Sequence, residues 1–233
     1  MVLKFFIFIS FVLTNSLFAL GTYSEGWMIV KILKFESKGI IFDSYEGILE
    51  FSSFSKDEIC NEENDECYSI KKEKISFSVR PETYEAVNLI NKNINRELLI
   101  NYQIHRITAI SLSSDFEIVQ AFPGNNLPRE IEGDEFIVSK TGSKRNFSIF
   151  GKILKIEYQG TLIGTYEGLY LDETTSKIHP FSITDENMAY FAMSAMKSTN
   201  RYYMGISVSY TKGFRKTYYD IFEINFKSPA GGI

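Results

Sequence analysis

Val30-Lys-Ile-Leu-Lys-Phe-Glu-Ser-Lys-Gly39 recurs 121 residues later as Gly151-Lys-Ile-Leu-Lys-Ile-Glu-Tyr-Gln-Gly160, with six of ten positions identical. The register holds five residues on, where Ser44-Tyr45-Glu46-Gly47 meets Thr165-Tyr166-Glu167-Gly168. Farther along the offset drops to 104, pairing Phe77-Ser78-Val79 with Phe181-Ser182-Ile183 and Arg96-Glu-Leu-Leu-Ile with Asn200-Arg-Tyr-Tyr-Met. Loop insertion in a duplicated unit produces such a change of offset, because surface loops lengthen at little thermodynamic cost. The chain therefore reads as two copies of one small domain.

Each copy gives the same series of elements. In the first, alternation and β-branched content predict strands at 28–36, 40–51, 74–80, 97–107 and 115–122, with a helix at 82–93. Gly39 and Gly160 stand between apolar runs as hairpin glycines. Pro81 suits the first helical position, with Tyr84, Val87 and Ile90 on one side. The second helix opens at Thr184-Asp185-Glu186 and carries Met188, Phe191, Ala192, Ala195 and Met196 as a core stripe. The fold class expected is mainly β with one helix per repeat: two tandem OB-fold-like (β-β-β-α-β-β) small barrels. An SH3-like barrel with an inserted helix, or an open sheet with one covering helix, has nearly the same string of elements. The boundaries expected are a signal peptide at 1–21, a first domain at 22–123, a polar linker at 124–146 with a short strand near 135–138, a second domain at 147–227 and a tail at 228–233.

At the N-terminus, Lys4 precedes an apolar run from Phe5 to Leu13, and Ala19-Leu20-Gly21 fits the small-x-small rule for cleavage. This predicts a periplasmic or otherwise exported protein. The alternative is attachment to the inner membrane by residues 3–20 if the leader is not cleaved. The formal charge is −4, and loss of Lys4 with the leader would take it to −5. On that sign nucleic acid is not expected as a partner. Hydrophobic content of 44% and aromatic content of 15% mark a folded chain rather than a disordered one.

Gly21-Thr22-Tyr23-Ser24-Glu25-Gly26, Gly39, Tyr45-Glu46-Gly47, Phe77-Ser78-Val79 and Tyr102 carry a resemblance. The first copy resembles a family of uncharacterised bacterial envelope proteins that share a membrane leader, a Tyr-Ser-Glu-Gly start, a Lys-Gly hairpin, a Tyr-Glu-Gly strand and a Phe-Ser-Val strand before a helix. Members are sometimes labelled 6-phosphogluconate dehydrogenase. This chain has no Gly-rich dinucleotide turn between a strand and a helix, so the label is rejected. The resemblance spans residues 21–122 and, more weakly, 147–226. It departs from the family by duplication and by lacking a Trp-x-Gly segment before the last strand. It implies export and a shared fold, with no activity attached.

No catalytic, cofactor or metal residues are assigned. His105 and His179 have no Cys, Asp or second His at ligand spacing, and no Gly-x-Ser-x-Gly elbow is present. Glu46 and Glu167 recur at equivalent places and read as satisfying local contacts within each repeat. Cys60 and Cys67 read as one disulfide of an exported protein, enclosing an acidic loop that lacks the spacing of an EF-hand. Candidate binding residues are Trp27, Tyr45, Glu46, Tyr166, Glu167, Tyr202 and Tyr203. The function expected is a non-enzymatic binding or adaptor module of the cell envelope that grips an envelope protein or a glycan. The alternative is an envelope hydrolase with a site between the repeats, for instance Glu46 with His179.

Overall fold

The computed structural model describes residues 22–38, 44–56, 68–108, 111–124, 133–139, 142–159, 164–198 and 201–227. The leader, Gly39, Gly160, Cys60 and Cys67 lie outside the described residues, and so does the disulfide expected between the two cysteines. The first half runs β1 (Thr22–Lys38), β2 (Ser44–Lys56), β3 (Tyr68–Val79), α1 (Tyr84–Lys92), β4 (Glu97–His105) and β5 (Phe116–Phe122). After β6 (Glu135–Ile137), the second half runs β7 (Ser143–Gln159), β8 (Thr165–Asp172), β9 (Lys177–Ile183), α2 (Glu186–Lys197), β10 (Tyr202–Ser209) and β11 (Tyr219–Asn225).

The strands form one mixed sheet in the order β10-β11-β9-β8-β7-β1-β2-β3-β5-β4, with β6 added on β11. Two further ladders, β1 with β4 and β7 with β10, return each half upon itself. Among the described residues the parallel contacts are single pairs, Ser78 with Glu117 and Ser182 with Asp220. Two points depart from the sequence reading. The expected pair of separate barrels is one continuous sheet, because β1 and β7 pair antiparallel through Ser24–Met28 and Lys155–Gln159. The interval expected as a linker also ends sooner than expected: β7 already begins at Ser143 rather than near 147, while β6, which pairs with β11, falls on the short strand expected near 135–138.

The repeated motifs have local reasons. Lys-Ile-Leu-Lys carries a bulge in each half, between Ile32 and Lys34 against β2 and between Ile153 and Lys155 against β8. The extra residue bends these 17-residue strands so that one strand serves two ladders. In Tyr-Glu-Gly, the glycine lets the neighbouring Phe ring lie against the backbone. A Cβ on Gly47 would stand 2.5 Å from Phe77 Cε1, and one on Gly168 2.3 Å from Phe181 Cζ. Phe77 and Phe181 are both fully buried, and each side chain of this kind contributes about 1.5–3 kcal/mol by burial.

The helices cover the cores unequally. Asp185 caps α2 by accepting from the Met188 N–H at 2.8 Å, and the stripe from Met188 to Met196 is buried as its spacing predicts. The start of α1 falls later than expected: Pro81 lies in a turn closed by Thr83 N–H to Arg80 O, and the helix begins at Tyr84. Val87 and Ile90 are buried, but Tyr84 points to solvent. The two cores interlock at the junction, where Leu99 of β4 is buried within the second half's cluster and Trp27, Ile29 and Phe122 pack against it.

Candidate functional site

Where the halves meet, a cleft of ≈ 690 Å³ opens between β1, β4, β7, β8 and the start of α2. It is within the size range of small-molecule sites. Four aromatic residues line it: Trp27 from the first half, and Tyr158, Tyr166 and Tyr190 from the second. β1 brings Trp27 and Glu25 to the junction because β7 pairs along this stretch of its edge. Trp27 stacks on Phe122 at 5.9 Å, and Lys197 Nζ from the end of α2 stands 4.2 Å from its ring centroid. The tyrosines sit at steep mutual angles, Tyr158 on Tyr166 at 5.2 Å and Tyr166 on Tyr190 at 6.4 Å. The Tyr190 hydroxyl donates to Glu186 Oε1 at 2.9 Å. Burial, followed by the contact with Tyr190, pushes the Tyr166 hydroxyl well above the ordinary phenol range. It stays a neutral donor. Glu25, Glu186, Asn101 and Thr184 supply the polar wall.

Of the seven candidate binding residues, Trp27 and Tyr166 meet in this cleft and the others do not. Glu46 accepts from Ser44 Oγ and Ser78 Oγ, both at 2.7 Å, and from the Ser113 N–H at 3.2 Å. Glu167 repeats the pattern with Thr165 Oγ1 at 2.6 Å, Ser182 Oγ at 2.7 Å and the Lys216 N–H at 3.1 Å. Each carboxylate thus ties two strands and one loop of its own half together. Burial raises the Glu167 carboxyl above its ordinary value, opposed by those three donors. Tyr45 stacks on Phe35 at 5.6 Å. The Tyr202 oxygen is buried and accepts the Ile153 N–H at 2.8 Å, and Tyr203 packs on Phe150 at 5.0 Å. Glu46 and His179 keep separate company, for His179 stacks on Tyr170 at 5.3 Å, with its basicity lowered by burial.

Residues that sequence reasoning passed over complete the picture. Tyr190 lies on the side of α2 away from the Met and Phe stripe, so its helical position was a usable signal. Tyr158 and Glu25 gave none, since they meet only through the β1–β7 ladder. His105 also gains a partner: its Nε2 lies 2.6 Å from Glu117 Oε2, while Arg80 Nε donates to Glu117 Oε1 at 2.7 Å. Among the described residues no group of three or more His, Cys, Asp or Glu could hold a metal ion. Among them, too, no helix is long and apolar enough to cross a membrane.

The family model described as "Domain of unknown function (DUF8785)" matches residues 21–126 and 142–231. The chain belongs to that family. No curated protein matches it. Among solved structures, the DUF8785 chain is similar to the wild-type single-stranded DNA binding protein from Thermus aquaticus, at 7% identity and a TM-score of 0.28, covering 91% of this chain and 96% of that one. A deletion mutant of the same protein matches with the same identity and TM-score, covering 97% of that chain. At this TM-score the likeness places no ligand on the DUF8785 chain. One expectation is withdrawn. Nucleic acid was excluded on net charge, but a sum over the whole chain does not describe any one face of it, and the matched structures are single-stranded DNA binding proteins.

Proposed function

We propose that this chain is a non-enzymatic binding module of the bacterial cell envelope, made of two OB-type barrels, with its ligand seated in the cleft between them. The strand order β1-β2-β3-β5-β4 with a return to β1, repeated as β7-β8-β9-β11-β10 with a return to β7, supports the barrel reading. The observation that carries the binding reading is the aromatic cleft itself, walled by Trp27, Tyr158, Tyr166 and Tyr190 with Glu25 and Glu186 beside them. Ring faces stack on flat apolar surfaces, and carboxylates accept from hydroxyl or amino donors. The ligand class that fits both is a compact ring compound carrying such donors, of which a sugar is the simplest case. Export rests on the leader at 1–21, and fractionation of the producing cells tests it.

The chain holds one tryptophan, Trp27, and it lines the cleft. Its fluorescence therefore reports the site directly. Titration of the full chain with soluble oligosaccharides should give a saturable change. Tyr190→Ala, which removes a ring 47% exposed to solvent and leaves the core intact, should weaken that response by about tenfold, from the roughly 1–3 kcal/mol such stacking contributes. No saturable change with any sugar would reject this ligand class. A saturable response to a single-stranded oligonucleotide that survives Tyr190→Ala would move binding from the cleft to a barrel face.

A further inference from the structure

The ladder joining the two halves uses non-equivalent edges. Residues 24–28 of β1 already pair β4, so β7 occupies their other edge, the one β2 takes farther down the strand. Residues 155–159 of β7 already pair β8, so β1 occupies the edge that β10 takes nearer the start of that strand. A head-to-tail contact between like units leaves unused, at either end, the surface its partner used in the middle. The offset of 121 identifies those surfaces, because β1 and β7 match end to end at that offset, bulges included. Residues 24–28 correspond to 145–149, and 155–159 to 34–38. Among the described residues, Lys34–Ser37 carry a ladder to β2 alone and Asn146–Ile149 a ladder to β10 alone. Lys34, Glu36, Ser37, Asn146 and Ser148 are exposed.

We propose that these two edges are the complementary halves of a latent contact between copies of this chain, held open by like charge. Carrying the internal register over sets Asn146 against Ser37, Phe147 against Glu36, Ser148 against Phe35 and Ile149 against Lys34 of the next copy. One step farther, in place of the internal pair Ser24 and Gln159, Arg145 faces Lys38. Like charges directly opposite on a ladder oppose pairing, and cationic residues on open strands are a common guard against edge association. Phe147 also stands where the internal junction has Gly26, at which a Cβ would lie 2.5 Å from Ile156 O. The contact between copies is therefore weaker than the internal one, and because its edges differ it propagates head to tail, into an open chain or a ring, rather than pairing two copies about a two-fold axis. This inference is independent of what fills the cleft.

Charge reversal tests it, read by sedimentation velocity of the full chain over a range of protein and salt concentrations. Lys38→Glu should associate in a concentration-dependent way, with an association constant raised roughly 5- to 10-fold over the parent, and Arg145→Glu should do the same. The double variant, Lys38→Glu with Arg145→Glu, restores like charge and should fall back to the parent's behaviour. Added salt should promote association of the parent and oppose it in Lys38→Glu, since screening removes repulsion in one and attraction in the other. A mixture of Ser37→Cys and Asn146→Cys chains, each in the Lys38→Glu background, should form a disulfide-linked pair that neither forms alone. Single variants that stay monomeric throughout, or a double variant that associates as strongly as the singles, would overturn the proposal.

Discussion

At the scale of single residues, Glu46 and Glu167 explain why the Tyr-Glu-Gly and Phe-Ser motifs travel together. A carboxylate buried on β2 or β8 needs donors, and the serine of the neighbouring strand, the hydroxyl two residues before it and one loop N–H provide three. Leaving any of these groups unpaired in the interior costs about 1–3 kcal/mol. Glu167→Gln keeps the shape but offers an amide to three donors, and urea unfolding should show a loss of that size. The pH dependence has a definite sign. Burial raises the folded-state pKa of Glu167 above its ordinary value of 4.5, so the folded chain holds this proton more tightly than the unfolded one. Its stabilising contribution is complete below the unfolded value and is lost as pH rises through the folded one. Glu167→Gln lacks that loss, so its deficit relative to the parent should be largest at the acid end and narrow as pH rises. A deficit that widens instead would mean that the three donors outweigh burial.

At the scale of elements, the bulge in Lys-Ile-Leu-Lys and the glycine beneath each Phe ring set the bend that lets one strand join two ladders. Gly168→Ala would place its Cβ 2.3 Å from Lys155 O and from Phe181 Cζ. Since backbone cannot move aside cheaply, the substitution should cost at least about 1–3 kcal/mol, the usual range for overpacking. Gly168→Ala combined with Phe181→Leu should recover only part of that loss, because the carbonyl clash remains; thermal melts of the two variants decide it. These elements were legible in the sequence because duplication printed each motif twice; local alternation placed β4 and β5 within two residues, whereas β1 and β3 each begin six residues before the expected start. The helix start at Tyr84 was misjudged because Pro81 suits a turn as well as a first helical position. The partnership of His105 with Glu117 and Arg80 was invisible, since it joins the ends of three elements that only the ladders bring together.

For the whole molecule, the decisive contact is the one the sequence signalled least. Pairing between β1 and β7 depends on two strand edges more than a hundred residues apart, and neither carries a pattern that names its partner. The alternation that marks a strand says which face is buried and nothing about which edge is taken. That ladder creates the cleft. It also buries Glu157, which accepts from Tyr102, from Gln159 and from Lys155 Nζ at 2.9 Å, drawing groups from both halves onto one carboxylate. On the apolar side, Leu99 belongs to a strand of the first half but is fully buried in the core of the second. The halves should therefore unfold as one unit rather than as two beads on a string. Leu99→Ala should cost about 2–5 kcal/mol through the cavity it leaves. Hydrogen exchange should show that cost as lost protection in β3 of the first half and β9 of the second alike. If β9 loses protection while β3 keeps it, the shared core does not couple the halves, and their stabilities are set separately on either side of the β1–β7 ladder.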